Sequence, residues 1–361
     1  MKNKTSRDYT GVLSSVFAVI IGLLFGLIVL ILCNPGQAFS GFRTILTGPL
    51  THGLKGVGQV FYYATPIILT GLSVGFAFKT GLFNIGASGQ FIVGAFGSVY
   101  VGILWKNLGS VHWLVALSVG LLFGAVWGLV PGLLKAYFNV NEVISAIMMN
   151  YLGMYGVNFI VKNTPEIFNK MRNESKTIAS TAEVPKWGMD KLFPGSSVNG
   201  GIIIAILVVI LIYIVLNKTT FGYELKAVGF NRDASKFAGI NEKRSIVLSM
   251  AISGAIAGLS GALLYLAGSG KHITIVDSLA PEGFTGISVA LLGLSHPLGI
   301  LVAGLFIAYL TAGGFYLQLF DFSTEIIDII IAVIIYFSAF ALIVKTILSK
   351  RKAKKEERKH E

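Results

Sequence analysis

Few residues of this 361-residue chain have the types and spacing that catalysis requires. The string GSGKH at residues 268–272 resembles a phosphate-binding loop, but the pattern GxxxxGK[ST] needs glycine at Tyr265 and serine or threonine at His272. The five histidines lack metal-ligand spacing, and the single cysteine, Cys33, can form neither an intramolecular disulfide nor a thiolate cluster. We therefore predict no enzymatic activity, no metal site and no cofactor.

Uncharged polar residues have the more useful chemistry here, because they can form hydrogen bonds with a solute. Three lie in or beside a glycine-interrupted segment, residues 81–89, and three lie in two further apolar segments. The candidate solute-contacting residues are Asn84, Ser88, Gln90, Asn150, Thr285 and Ser288. None carries a formal charge. An unpaired ion is costly in a low dielectric, so such a site suits a neutral polar solute.

The elements that position these residues are membrane helices. Of all residues, 54% are apolar and 13% are charged, whereas roughly a quarter of a soluble domain is charged. The formal net charge of +12 comes from basic residues at the chain ends and in the loops between apolar runs. This charge indicates membrane topology rather than nucleic-acid binding. The composition predicts an all-α polytopic membrane protein.

Ten apolar segments lie between residues 11 and 347, and each must be helical because lipid offers the backbone no hydrogen bonds. We interpret residues 11–33 as a retained helix rather than a cleaved signal peptide, since an apolar run of this length spans a bilayer. Residues 81–89 and 283–294 are candidates for re-entrant segments, which gives about 8–10 crossings. They occupy comparable places in two halves of similar length, a pattern that indicates a central translocation site.

The distribution of Lys and Arg predicts that both termini are cytoplasmic. Residues 1–10 are then a cytoplasmic N-terminus, residues 11–347 a transmembrane domain and residues 348–361 a basic cytoplasmic tail. Within the transmembrane domain, residues 162–199 form an extracellular loop and residues 218–244 a cytoplasmic loop.

Glycines repeat every three or four residues on two of the predicted helices. The first series is Gly120, Gly124, Gly128 and Gly132, and the second is Gly254, Gly258 and Gly261. Glycine at this spacing removes the side chains from one helix face, so we expect both faces to pack closely against neighbouring helices.

The cytoplasmic loop contains the signals of a short helix. Asn231 can cap its N-terminus, Asp233 lies in the first turn, and Gly239 follows the last turn. Ala234, Phe237 and Ala238 form a small apolar face. Because a helix of this length is marginal by itself, we expect it to be held by packing.

Three motifs in order then show a family resemblance: GLFNIGASGQ at residues 81–90, NEVI at 141–144, and KAVG at 226–229 with AGI at 238–240. Together they resemble the nucleoside and simple-sugar permeases of ABC importers, over about residues 11–347. The resemblance implies a multi-pass permease in the cell membrane, surrounded by lipid, that forms the translocation pathway for nucleosides. It also implies a separate ATPase subunit, a second permease subunit and an extracellular substrate-binding lipoprotein as partners, and no nucleic acid.

In this family, residues 224–242 correspond to the coupling helix that docks on the ATPase. The implied coupling residues are Glu224, Lys226, Gly229, Asn231, Asp233, Ala234, Phe237, Gly239 and Glu242. The sequence departs from the family at Arg232, where many relatives have proline, and we expect this to alter the partner contact rather than the role.

Two alternatives stay open at this level. The solute of such a permease could be a simple sugar of the ribose or galactose type. An ion-coupled secondary carrier is disfavoured because the centres of the spans contain no Asp, Glu, Lys or Arg, although sodium sites built from carbonyl oxygens would escape this test.

Overall fold

The computed structural model describes residues 10–320, 322–323, 325–333 and 336–337, and most of this part is helical. The α-helices are α1 (Thr10–Cys33), α2 (Ala38–Thr51), α3 (Gly53–Phe78), α4 (Ala87–Leu104), α5 (His112–Phe138), α6 (Glu142–Asn163), α7 (Met189–Leu192), α8 (Gly201–Lys218), α9 (Thr220–Phe230), α10 (Arg232–Phe237), α11 (Glu242–Tyr265), α12 (Pro281–Leu292) and α13 (Pro297–Phe315). A small hairpin joins β1 (Phe168–Asn169) to β2 (Glu174–Ser175). Short 3-10 helices occur at Lys106–Val111, Ser180–Ala182 and Tyr316–Phe320.

Seven helices of the described part are long and apolar enough to cross a membrane: α3, α4, α5, α6, α8, α11 and α13. Large apolar side chains on the outer faces of α5, α6 and α8 are exposed, among them Leu122, Phe159 and Leu207. Such a surface is stable against lipid rather than water. The prediction of an all-α polytopic membrane protein is confirmed.

Two segments differ from full crossings, as the sequence predicts. Residues 79–86 form an unwound turn between α3 and α4. In the motif at 81–90, residues 81–86 therefore belong to the turn and residues 87–90 to α4. Helix α12 has 12 residues, which at ~1.5 Å per residue gives roughly half the length needed to span the hydrocarbon layer. The helix α2 was not predicted, and most of the last apolar segment, residues 326–347, lies outside the described residues.

Helices α5 and α11 pack with their backbones in direct contact. A methyl group added at Gly124 would lie 2.6 Å from the Cα atom of Gly258, and one added at Gly128 would lie 3.0 Å from the Cα atom of Gly254. The backbone at Gly258 also touches Gly94 of α4. The two predicted glycine faces therefore meet each other, and α4 joins them.

The long loop, residues 164–199, is folded onto the chain that connects α11 to α12. The backbone N–H of Ser175 donates to the carbonyl of Ile273 (2.8 Å), and that of Val184 donates to the carbonyl of Leu266 (2.8 Å). The N–H of Ile275 donates to the carbonyl of Asn173 (3.0 Å). These bonds hold residues 266–275 in place at one end of the helix bundle.

Helices α9 and α10 lie at the opposite end. The expectation of one coupling helix over residues 224–242 is wrong. The helix is interrupted at Asn231, whose backbone is extended (φ −158°, ψ 110°). The Asn231 side chain accepts a hydrogen bond from the backbone N–H of Ala234 (3.0 Å), as the capping prediction requires. Gly239 has φ +82° and ends the second helix, as predicted.

Substitution of Gly124 by alanine tests the α5–α11 contact. The added methyl group would overlap the backbone of α11, which cannot move aside as a flexible side chain can, so we expect a loss of about 1–3 kcal/mol of stability. The measurement is the thermal unfolding midpoint of the purified protein in detergent. Gly156→Ala on α6 is the matched control, since nothing lies within 4 Å of the added methyl group. Equal midpoints for the two variants would contradict the close packing.

Candidate functional site

A cavity of about 640 Å³ lies between α3, α12, α13 and the helical residues 325–333. Its volume is within the range of small-molecule sites. The polar residues of its wall are Tyr62, Tyr63, Lys271, Glu282, Thr285, Ser288, Thr311 and Asp328. Two other cavities in the described part, one between α1, α12 and α13 and one between α4, α5 and α6, have almost wholly apolar walls. The α3–α12 cavity is therefore the candidate solute site.

The start of the half-helix α12 is fixed by contacts with the start of α4. The Ser88 hydroxyl donates to the carbonyl of Ala280 (2.7 Å). A methyl group added at Gly283 would lie 2.8 Å from Cβ of Ser88, and one added at Gly286 would lie 2.6 Å from Cβ of Thr70 on α3. Small residues thus allow α12 to lie directly against α3 and α4, so the cavity wall is rigidly placed.

An ion pair joins the connection between α11 and α12 to the first turn of α12. The Nζ atom of Lys271 lies 3.0 Å from Oε1 of Glu282, and the side chains of the two residues are 38% and 20% exposed. Glu282 is in the first turn of α12, directly after Pro281, where the helix dipole stabilises a negative charge. The ammonium group also lies 5.7 Å from the ring centroid of Tyr265. The pair adds no net charge to the cavity wall.

The Lys271 ammonium stays protonated in this setting. Burial alone would lower the pKa of Lys271, but the Glu282 carboxylate, together with Tyr265 and Tyr62, raises that pKa above its ordinary value. The raised pKa keeps the positive charge of Lys271 beside Glu282 at the cavity wall.

Of the six predicted solute-contacting residues, Thr285 and Ser288 line the cavity. Both hydroxyls donate to the carbonyl one turn earlier in α12, Thr285 to Pro281 (3.1 Å) and Ser288 to Phe284 (3.2 Å). Their oxygen atoms keep lone pairs that can accept hydrogen bonds.

The other four predicted residues are buried and hydrogen-bonded within the protein. The Asn84 amide donates to Oε1 of Gln90 (2.8 Å) and to Oγ of Ser253 (2.7 Å), and Gln90 donates back to Oδ1 of Asn84 (3.1 Å). Asn150 accepts from the N–H of Gly89 and donates to a carbonyl of the unwound turn. Asn84, Gln90 and Asn150 therefore hold the unwound turn in place, and Ser88 holds the start of α12.

The sequence offered signals for residues that were not predicted. Glu282 and Pro281 directly precede the apolar segment 283–294, which is a helix-start signal. Lys271 lies in the string that failed the phosphate-loop pattern. Tyr62 and Tyr63, which are adjacent in an apolar segment, also line the cavity.

The implied coupling residues are distributed over three helices. Glu224, Lys226 and Gly229 lie on α9, Asp233, Ala234 and Phe237 on α10, and Glu242 begins α11, with Asn231 and Gly239 at the boundaries. The Glu242 carboxylate lies 3.3 Å from the Arg232 guanidinium, which ties α10 to α11. Phe237 is 94% exposed and Phe230 is 90% exposed. The apolar face of α10 therefore packs on nothing in the described part of the chain.

Helix α9 contacts the unwound turn. The backbone of Gly229 packs against that of Lys79 and Gly81, where a side chain would not fit. Burial and, secondly, the charge of the nearby Lys226 lower the pKa of Lys79. The α9–α10 surface is thus built directly onto the end of α3.

Substitution of Asn84 by alanine tests the buried amide network. The change leaves the Gln90 amide without its partner, and an unsatisfied buried polar group costs about 1–3 kcal/mol, so we expect a lower unfolding midpoint. Asn163→Ala is the control, because this exposed amide bonds only to its own helix in the described structure. An unchanged midpoint for Asn84→Ala would show that the network does not hold the turn.

Comparisons with known proteins agree with this architecture. The chain matches the family described as "Branched-chain amino acid transport system / permease component" over residues 56–339. It is 36% identical to the guanosine ABC transporter permease protein NupP of Bacillus subtilis over 338 residues, covering 93% of this chain and 95% of that protein. It is 34% identical to the nucleoside ABC transporter permease protein NupB of Lactococcus lactis over 357 residues, which cover 98% of this chain and 96% of that protein. It is 29% identical to the glucose ABC transporter permease protein TsgB13 of Haloferax volcanii over 332 residues, which cover 89% of this chain and 85% of that protein.

No solved structure gives a significant match. The chain therefore belongs to the family of branched-chain amino acid transport system permease components.

Proposed function

We propose that this chain is the permease subunit of an ABC importer for nucleosides and that the α3–α12 cavity is part of its solute pathway. The observation that carries the proposal is the similarity to a guanosine permease and a nucleoside permease over at least 95% of each relative's length. The glucose permease is less similar in sequence, and a smaller share of its length aligns with this chain. The motif resemblance supports the same class.

The cavity has the chemistry that a nucleoside needs. Tyr62 and Tyr63 lie with ring centroids 5.3 Å apart in an edge-to-face arrangement, and both line the cavity. An aromatic wall can stack on a purine or pyrimidine base. Thr285, Ser288 and Thr311 supply hydroxyl groups for the sugar. We propose that Thr285 and Ser288 contact the solute and that Asn84, Ser88, Gln90 and Asn150 shape the path by holding the unwound turn and α12.

The two ends of the bundle suggest two partners. We propose that α9 and α10 face the cytoplasm and dock on the ATPase, because exposed Phe230 and Phe237 offer apolar surface outside the membrane spans. The long loop then faces outward, towards a substrate-binding lipoprotein, and both termini are cytoplasmic. A second permease completes the pathway, because relatives of this chain include two differently named guanosine permeases of Bacillus subtilis, NupP and NupQ.

A simple sugar such as ribose or galactose remains the second candidate solute, because a glucose permease is among the relatives. The cavity hydroxyls would bind a sugar equally well, but a sugar alone lacks the aromatic ring that a base offers to the two tyrosines. Competition between the two solute classes decides between them.

The proposed function predicts ATP-dependent accumulation of guanosine in proteoliposomes that contain the complete importer. Excess inosine should inhibit uptake, whereas excess ribose, galactose or glucose should not. Uptake that an ion gradient drives in the absence of the ATPase would contradict the proposal, and equal inhibition by sugars would assign the second candidate solute.

Substitution of Phe237 by alanine should reduce uptake and uncouple it from ATP hydrolysis, because the variant removes an exposed ring from the proposed ATPase-docking surface. The readouts are guanosine uptake and co-purification of the ATPase. Phe159→Ala removes an exposed ring from α6, away from α9 and α10, and serves as the control. Normal coupling in the Phe237→Ala variant would refute the docking assignment for this residue.

A further inference from the structure

We propose that the Glu282 carboxylate binds the ribose diol of the solute and that Lys271 is the residue that positions it. The inference rests on the proposed nucleoside transport and goes further, because it assigns one carboxylate as the determinant of sugar-moiety recognition. Neither residue was among the predicted site residues.

The first argument is the cost of the charges. A carboxylate and an ammonium group that leave water lose solvation, and a partly buried ion pair often stabilises a fold no better than an apolar pair would. Helix α12 already has Pro281 to begin it, and its packing on α3 and α4 uses Gly283 and Gly286. The Lys271–Glu282 pair is therefore not required to place α12, and it faces a cavity of solute size.

The second argument is hydrogen-bonding capacity. A carboxylate has two oxygens with about four lone-pair directions, and Lys271 occupies one of them at Oε1. Adjacent hydroxyls of a ribose present two donors that a single carboxylate can accept, as acidic residues do for ribose in dinucleotide-binding folds. The carboxylate oxygens of Glu282 that Lys271 leaves free can accept these hydrogen bonds.

The third argument is the arrangement of the walls. The Tyr62 hydroxyl lies 2.9 Å from Oγ of Ser269, two residues before Lys271. This bond links the aromatic wall of α3 to the ion pair, so the two are fixed relative to each other. The two tyrosines and Glu282 line the same cavity, so a base stacked on the tyrosines can carry its ribose to Glu282. The other carboxylate of the cavity wall, Asp328, lies in the helical residues 325–333.

The test compares two solutes in the reconstituted importer: guanosine and 2′,3′-dideoxyguanosine, which lacks both ribose hydroxyls. The discrimination ratio is kcat/KM for guanosine divided by that for the dideoxy analogue. The binding protein also discriminates, but it is the same in every assay, so its contribution cancels when variants are compared. We expect Glu282→Gln to lower the ratio about tenfold, the factor expected for a lost hydrogen bond to a charged group.

Further variants separate positioning from binding. Lys271→Met should lower the ratio, and Lys271→Arg should restore it, because arginine keeps the positive partner. Glu142→Gln is the matched control: it breaks an ion pair of similar length, with Lys135 at 2.9 Å, outside the cavity, and it should leave the ratio unchanged. If Glu282→Gln does not assemble, Glu282→Asp keeps the charge but withdraws the carboxylate and should lower the ratio partially.

The outcomes are distinct from those for the proposed function. If the wild-type importer does not take up guanosine, the proposed function fails. If it does, and Glu282→Gln or its aspartate substitute keeps the wild-type ratio, only the diol assignment fails. Loss of discrimination in Asp328→Asn but not in Glu282→Gln would transfer the role to Asp328 and overturn the inference.

Discussion

Backbone contact between α5 and α11 is the constraint on which the rest of the site depends. Gly124 and Gly258 let these helices approach without side chains between them, and Gly94 brings α4 against the same face of α11. In lipid, where apolar side chains gain nothing by leaving the solvent, such close packing is a principal source of helix association. This packing places α11 where Ser253 can accept the hydrogen bond from Asn84. That bond holds the unwound turn in place.

The unwound turn connects the two ends of the molecule. On one side it packs against Gly229 of α9, and on the other it leads into Ser88, whose hydroxyl holds the chain just before α12. The surface proposed for ATPase docking and the cavity proposed for the solute are thus joined by a contiguous set of contacts. The unwound turn and the short helix α12 meet at the Ser88–Ala280 hydrogen bond. This arrangement suits a transporter, because unwound backbone is tolerated in the membrane only where protein surrounds it.

The sequence predicted the features that depend on local pattern: the spans, the unwound motif, the glycine faces, the Asn231 cap and the Gly239 stop. It could not predict which polar side chains face the cavity. Asn84 has the chemistry of a solute ligand, but its partner Ser253 lies 169 residues away, and only the folded bundle brings the two together. Lys271 and Glu282 were missed for the converse reason, since each lies outside an apolar segment and the chain between them folds back into the site.

The central claim is that the α3–α12 cavity carries the solute, and the protection of an introduced thiol tests it most directly. With the exposed Cys33 replaced by serine, Thr285→Cys would be treated with a water-soluble thiol reagent in the ATP-driven importer, with and without guanosine. The account predicts that guanosine slows modification at this position and not at the control Ser180→Cys, which is exposed on the long loop. Equal rates of modification at Thr285→Cys with and without guanosine, in an importer that transports it, would contradict the account.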